Sequence, residues 1–440
     1  MHLVDGPPPR QTLASGGGHV CEPLPVTTRE LDVVVFGASG FVGRLTAEHL
    51  AAAAPDGTRI GLAGRSLERL EEVRSALGAD AAAWTLIEAD VDDRASIEAM
   101  AARTRVLATT VGPYLKYGLG VVEACAAAGT DYVDLTGEVL FVRESLDHWA
   151  DVARASGARI VHSCGFDSIP SDLGVLLLAE AAAADGAGTL EETVLVVRSF
   201  GGGVSGGTID SARTMAMAVA EDRSLLKILG DPYALSPDRD AEPDTSQPSD
   251  AARIRRSAGL GTWVGPFVMA SYNTRVVRLS NALQDWAYGR TFRYGEEMAY
   301  GGDVLAPARA AAVNAALAAG VAAFAFGPTR AVVDRFLPKP GEGPDESTRR
   351  GGHFDVEVRS RTSGGATYSA VIAADGDPGY QATAVMLGES ALALVHDRDR
   401  LPDRAGVLTA ATGIGSVLAD RLRAQGFRIR VERVGATAAG

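Results

Sequence analysis

The chain has 440 residues, room for two or three domains at about 150 residues each, and its 46% hydrophobic and 22% charged content excludes the disordered, collagenous and disulfide-rich classes. Lys and Arg number 42 against 55 Asp and Glu, a formal net charge of -13, so no cationic surplus exists to neutralise a phosphate backbone and nucleic acid is not an expected partner. The three cysteines, Cys21, Cys125 and Cys164, are odd in number and widely spaced, which argues against a disulfide framework or a metal site and fits a reducing cytoplasm.

Residues 1–28 are rich in Pro and Gly, lack the continuous apolar core of a secretory signal, and read as a flexible extension. LDVVVF (31–36) is an apolar, β-branched strand pattern, followed by the glycine-rich turn GASGFVG and the helical spacing of RLTAEHLAAAA. The pattern recurs. Strands are predicted at RIGLAGR (59–65), WTLIEAD (84–90), RVLATTVG (105–112), DYVDL (131–135) and ARIVHSCG (158–165), with helical stretches between them. This alternation predicts an α/β fold, a Rossmann-type doubly wound parallel sheet over residues 29–190.

From residue 191 to 375 the strand-like runs lengthen (ETVLVVRSF, WVGPFVM, TRVVRLS) and a hairpin pattern spans 353–376, so a second, α+β domain is expected there, carrying the substrate and a homodimer contact. Its polar, Pro-rich segment DPYALSPDRDAEPDTSQPSDAARIRR reads as a surface excursion. Residues 376–440 read as helices and a strand packing back on the Rossmann domain. The Ala-rich tract 308–328 approaches bilayer-spanning length, but Ala is only weakly favourable in lipid; a packed helix is expected, with peripheral membrane contact as the alternative.

VVVFGASGFVG (33–43) carries the strongest chemical signal. Gly37 allows a sharp turn, Gly40 lets the backbone approach a pyrophosphate, and Gly43 permits close packing of helix on strand, with Ala38, Ser39, Phe41 and Val42 completing the loop. The second strand ends in Arg65-Ser66, with Arg69 nearby and no acidic residue to take ribose hydroxyls. A guanidinium there pairs with a 2′-phosphate, which favours NADP(H) over NAD. Asp90, ending the third strand, is a candidate neighbour of the adenine or an ordinary strand-end cap.

At the fourth strand's end, Thr110, Val111, Gly112 and Pro113 are expected beside the nicotinamide half of the cofactor. Tyr114 and Tyr117 follow as candidate donors to a substrate carbonyl, although a Gly-Pro turn with aromatic packing explains them equally well. DLTGE (134–138) and HSCGFDSIPSD (162–172) open at the same edge, making Asp134, Glu138, His162, Cys164 and Asp167 candidates for polarising or donating protons. Their structural alternatives are helix capping for Asp167 and a small buried apolar residue for Cys164. RSFGGGVSGGTIDSA (198–212) is either a flap or a glycine-rich turn, and GDPGY (376–380) reads as Pro at a helix start. Metalloprotease and P-loop motifs are missing, so metal-assisted hydrolysis and phosphoryl transfer lack support.

The run VVVFGASGFVGRLTAEHL, then LAGRS, TTVGPYLKYG, AAAGTDYVDLTGE, IVHSCGFDSIPSDLG, SGGTIDS and GDPGYQATAVMLGE, resembles the saccharopine-dehydrogenase-like oxidoreductases, most closely the mycobacterial trans-acting enoyl reductases. The resemblance spans residues 30–435 and leaves the N-terminal extension outside. It implies an NADP-binding Rossmann domain with an α+β partner. It also implies reduction of an enoyl double bond, on an acyl thioester carried by a polyketide synthase, during assembly of phthiocerol-type and phenolic lipids. The resemblance assigns no catalytic residue to this chain. From the residues we expect Tyr114 and Tyr117, ahead of Cys164 and Asp167, to hold the thioester oxygen as enolate charge develops. The rivals are a saccharopine-type imine reductase, which needs a basic pocket for substrate carboxylates, and a non-catalytic, lipid-associated NADP-binding protein.

Overall fold

The computed structural model describes residues 29–202, 206–251, 253–257, 260–325 and 343–434. The expected N-terminal extension 1–28 lies outside them, as do residues 203–205 of the glycine-rich segment and 326–328 of the Ala-rich tract. The first half of the chain runs β1 (Leu31–Phe36), α1 (Phe41–Ala53), β2 (Ile60–Gly64), α2 (Leu67–Leu77), β3 (Thr85–Glu88), α3 (Arg94–Arg103) and β4 (Thr104–Thr109). It continues α4 (Tyr114–Tyr117), α5 (Leu119–Ala128), β5 (Asp131–Val133), α6 (Val139–Ser156), β6 (Arg159–Val161) and α7 (Ile169–Ala184).

The second half begins β7 (Leu190–Gly201), α8 (Gly206–Glu221), α9 (Leu225–Gly230), β8 (Arg255–Arg256), β9 (Trp263–Pro266), α10 (Ala270–Leu283) and β10 (Arg293–Gly301). After α11 (Ala306–Ala325) come β11 (His353–Thr362), β12 (Thr367–Asp375), β13 (Gly406–Leu408) and β14 (Arg428–Val434).

All six residues of β1 are buried, as expected of a parallel strand with helices on both faces. The first sheet has the order β13-β6-β5-β4-β1-β2-β3 and every pairing in it is parallel. Because β1 lies between β4 and β2, the chain order reverses there and a crevice opens at the carboxyl ends of β1 and β4. The second sheet, β14-β12-β11-β7-β10-β9-β8, is mixed: β7 pairs parallel with β10 and antiparallel with β11.

Two elements depart from expectation. TRVVRLS, with its β-branched pair, is predicted as a strand but lies in helix α10, whose residues from Tyr272 to Asn281 are all buried. Val277 joins the core shared by the two sheets, while Tyr272, Val276 and Leu279 join the core on the other face of the first, so packing on both sides overrides the local β preference. The C-terminal segment divides as well. Helix Thr383–His396 packs on α1 and β4, and β13 extends the first sheet beside β6, but the closing strand β14 pairs with β12 in the second sheet instead of packing on the first. Among the described residues no helix is long and apolar enough to cross a membrane.

Candidate functional site

The loop between β1 and α1 is shaped by three glycines with separate duties. Gly37 has φ +87°, and a Cβ there would stand 2.8 Å from Thr110 Oγ1 and 2.9 Å from Val111 Cγ2. A Cβ on Gly43 would fall 2.2 Å from the Gly37 carbonyl oxygen, so α1 can rest on the turn only without a side chain there. Gly40 faces open space apart from that same oxygen at 3.2 Å, and it precedes α1 with no side-chain cap and no acidic residue in the first turn. The amides opening α1 therefore keep their hydrogen-bonding capacity and their positive field, and the cradle fits a pyrophosphate.

The cradle opens into a cavity of about 560 Å³. Its first half is lined by Ser39, Gly40, Phe41, Val42 and Arg65, by Val91 and Asp92, and by Thr110, Val111, Gly112 and Pro113. Arg65 is exposed and has no hydrogen-bond or ion-pair partner among the described residues, so its guanidinium is available to a phosphate. Four expected contacts sit behind this wall instead. Ala38 and Gly43 pack beneath the loop. The Ser66 hydroxyl caps α2 by accepting the Arg69 amide at 3.3 Å. Asp90 accepts the Asp92 amide at 3.1 Å, holding a turn whose next two residues, Val91 and Asp92, reach the cavity in its place.

The second half separates the catalytic candidates. Tyr114 lines the cavity, but its hydroxyl donates to the Thr109 carbonyl at 3.2 Å and accepts the Leu135 amide at 3.1 Å. That hydroxyl is committed to bracing two strand ends, and it is not free to serve a substrate. Cys164 is fully buried with its Sγ against the Val161 carbonyl, and burial pushes its thiol up, so it is inert packing. Tyr117 lines the cavity half-buried, with Lys116 Nζ 4.6 Å above its ring. Asp167 lines it too, without a partner among the described residues, and burial raises its carboxyl to about 6.

Behind these groups stands a buried polar frame. Asp134 Oδ2 lies 2.7 Å from His162 Nδ1, whose Nε2 lies 2.8 Å from Ser145 Oγ. Neither Asp134 nor His162 reaches the cavity. Glu138, fully buried, accepts the amides of Tyr114 and Leu115 at 2.9 and 2.8 Å and the Ser211 hydroxyl at 2.6 Å, pinning the loop after β4 to helix α8.

Several lining residues come from beyond the Rossmann half, and none of them is singled out from the sequence as a site candidate: Asp210 and Ser211, inside the segment 198–212 read as a flap or a turn, and Met215, all on α8, then Val268, Met269 and Tyr272 around the start of α10, and Tyr380. Tyr380 packs edge-on against Phe41 with ring centroids 5.0 Å apart and accepts the Gly206 amide at 3.3 Å. The signal for it was present in GDPGY, read only as a helix start. Among the described residues no cluster of His, Cys, Asp and Glu could hold a metal ion.

Comparison with known proteins agrees with this geometry. Residues 33–161 match the family model of the saccharopine dehydrogenase NADP binding domain. A Mycobacterium tuberculosis protein bearing a trans-acting enoyl reductase name is 50% identical over 423 residues, covering 93% of this chain and all of that protein. A trans-acting enoyl reductase of Mycobacterium ulcerans is 47% identical over 416 residues, covering 92% and 99%. Among solved structures, apo saccharopine dehydrogenase (L-Glu forming) from Saccharomyces cerevisiae superposes with a TM-score of 0.53 at 16% identity, covering 92% of this chain and 99% of that one, a likeness of fold alone.

Proposed function

We propose that this chain, which belongs to the family of trans-acting enoyl reductases, reduces the carbon–carbon double bond of an enoyl thioester with NADPH. The observation that carries the reading is the single cavity with two unlike halves. One half offers free helix amides and an unpaired guanidinium to phosphates. The other is walled by Leu135, Met215, Val268 and Met269 around the unpartnered Asp167.

The saccharopine-type alternative is disfavoured by charge. Among the described lining residues Arg65 is the one cation, and it stands at the cofactor end. At the substrate end Asp210 is paired with Arg213 at 3.9 Å, and the unpartnered Asp167 is the group that disfavours the carboxylates of an amino acid while leaving a neutral thioester undisturbed.

NADPH, when bound, supplies the hydride. The Gly37–Gly43 loop and the start of α1 hold the pyrophosphate, and Arg65 holds the 2′-phosphate. Glu138 keeps the loop from Thr110 to Tyr117 in place beside the reacting carbons. Asp167, whose burial keeps part of its population protonated near neutral pH, gives a proton to the α-carbon as the β-carbon gains hydrogen. The acyl group is presented by a separate carrier, a polyketide synthase, in keeping with the trans-acting name of the relatives.

The test is stopped-flow NADPH oxidation by the purified chain with a medium-chain 2-enoyl thioester on an acyl carrier protein. Turnover with formation of the saturated thioester is expected, and it also removes the non-catalytic rival. Oxidation of NADPH with an imine and none with any enoyl thioester overturns the reading.

A further inference from the structure

Two hydroxyls from distant parts of the chain meet at the cavity wall. Tyr272 Oη, on α10, lies 2.5 Å from Ser163 Oγ, in the loop after β6. Both residues are only 3% exposed, yet Tyr272 lines the cavity and Ser163 does not.

Ser163 is held with unusual firmness. Its φ of +64° is a left-handed conformation that few residues other than glycine adopt. Its amide donates to Asp134 Oδ1 at 2.8 Å. Asp134 also accepts the Tyr132 hydroxyl at 2.9 Å and the Thr136 amide at 3.1 Å, and it faces the His162 ring. A strained serine persists where its surroundings over-determine it, and such strain collects at functional sites. Here the frame delivers one hydroxyl to one place, since Tyr272 is the sole hydrogen-bond partner of the Ser163 Oγ among the described residues.

Either hydroxyl can donate in this bond, and in the arrangement where Ser163 donates to the Tyr272 oxygen the phenol keeps its own O–H for the cavity. Burial, helped by the nearby charges of Asp134, Glu138 and Asp167, pushes the phenol well above its ordinary value, so it stays a donor at every working pH.

We propose that Tyr272 is the donor that holds the substrate's carbonyl oxygen and that Ser163 is the positioning residue that aims it. This rests on the enoyl reductase reading and assigns the oxygen end of that reaction. The incoming hydride forms a C–H bond at the β-carbon, and the displaced π electrons move onto the thioester oxygen as an enolate. Tyr272 hydrogen-bonds that oxygen without surrendering its proton. The enolate then collapses, its α-carbon takes the Asp167 proton, and solvent returns a proton to the carboxylate.

The experiment uses the full chain with Tyr272→Phe, Ser163→Gly and the double variant. Phenylalanine keeps the ring in the core, and glycine removes the Ser163 hydroxyl at a φ that glycine tolerates. NADPH affinity and thermal stability are measured beside kcat and KM for the enoyl thioester. Tyr272→Phe is expected to lower kcat about 10²- to 10³-fold, the size of a lost oxyanion donor, with NADPH affinity at the native value. Ser163→Gly lowers kcat about five- to tenfold, as for one neutral hydrogen bond, with KM near native. The double variant is no slower than Tyr272→Phe, because Ser163 acts through that phenol, whereas an independent structural role would add its own loss.

Native kcat in Tyr272→Phe, or a double variant slowed by the product of the single effects, overturns the assignment. Should Tyr272→Phe fail to fold, Ser163→Gly decides, and a native kcat in it overturns the arrangement. Inactivity of the native chain toward every enoyl thioester defeats instead the reductase reading on which the proposal stands.

Discussion

The Glu138 carboxylate accepts the Ser211 hydroxyl at 2.6 Å, joining the loop that flanks the cofactor cradle to the helix that walls the substrate half. Glu138 is fully buried with no cation bonded to it among the described residues, and three hydrogen bonds stand in for the water it has lost. Ser211→Ala removes the one bond that reaches α8. A bond to a charged group contributes about 1.5 to 3 kcal/mol, so KM for the thioester should rise about tenfold or more while NADPH affinity changes little. Steady-state kinetics beside a cofactor titration checks this, and equal losses in both would place the effect in the cradle.

Among the described residues Arg65 is the unpaired cation that lines the cofactor half. Arg65→Ala should weaken NADPH binding by one to two powers of ten, about 1.5 to 3 kcal/mol for a charge-assisted pair, and leave NADH nearly unchanged. Fluorescence titration with both nucleotides decides the matter.

Gly43 and Gly120 make a contrasting pair. A Cβ at Gly43 meets only backbone, at 2.2 to 2.9 Å, so α1 must shift off the turn. Gly43→Ala should cost roughly 1 to 3 kcal/mol of stability and abolish tight NADPH binding. At Gly120, within α5, nothing lies inside 4 Å, and Ala there should stabilise by up to about 1 kcal/mol. Thermal melts of the two variants should move in opposite directions.

Asp167 sets a pH dependence. Its carboxyl is raised from 3.8 to about 6 by burial, so the folded chain binds this proton more tightly than the unfolded one. The stability it contributes is complete below pH 4 and is lost as pH rises through about 6. Asp167→Asn should therefore be more stable than the native chain at neutral pH, with no advantage below pH 4. In turnover the native kcat should fall as pH rises above about 6, and the variant should lose that limb together with about 10²- to 10⁴-fold in rate. A native pH profile in the variant would exclude Asp167 as the acid.

Tyr114→Phe should harm the fold and spare the chemistry. Its hydroxyl satisfies the Thr109 carbonyl and the Leu135 amide, and leaving those buried groups unpaired costs about 1 to 3 kcal/mol. A lowered melting temperature with kcat within a few-fold of native is the expected pair of results.

The Rossmann half was legible because its information is local. Side chains on a strand or helix repeat their direction every two or 3.6 residues, so the apolar periodicity of LDVVVF and RLTAEHLAAAA announces the element and the face that it buries. The glycines of GASGFVG were legible for the same reason, since a positive φ at Gly37 and the close approach at Gly43 are demands of a single turn. The Arg65-Ser66 pair is also local, a strand end that carries a cation where an acidic residue would favour ribose hydroxyls.

Everything that required two distant segments was decided only by the tertiary structure. TRVVRLS has the composition of a strand, and it becomes helical because both cores close on α10 at once. Cys164 and Asp167 stand in one loop with like claims, yet the first turns into the core and the second into the cavity. Tyr114 and Tyr272 differ likewise: both line the cavity, and long-range contacts decide that the Tyr114 hydroxyl is engaged by two backbone groups and the Tyr272 hydroxyl by one serine. A hydroxyl's role depends on where its single proton points, and that direction is set by partners up to 109 residues away, beyond the reach of any repeating local pattern.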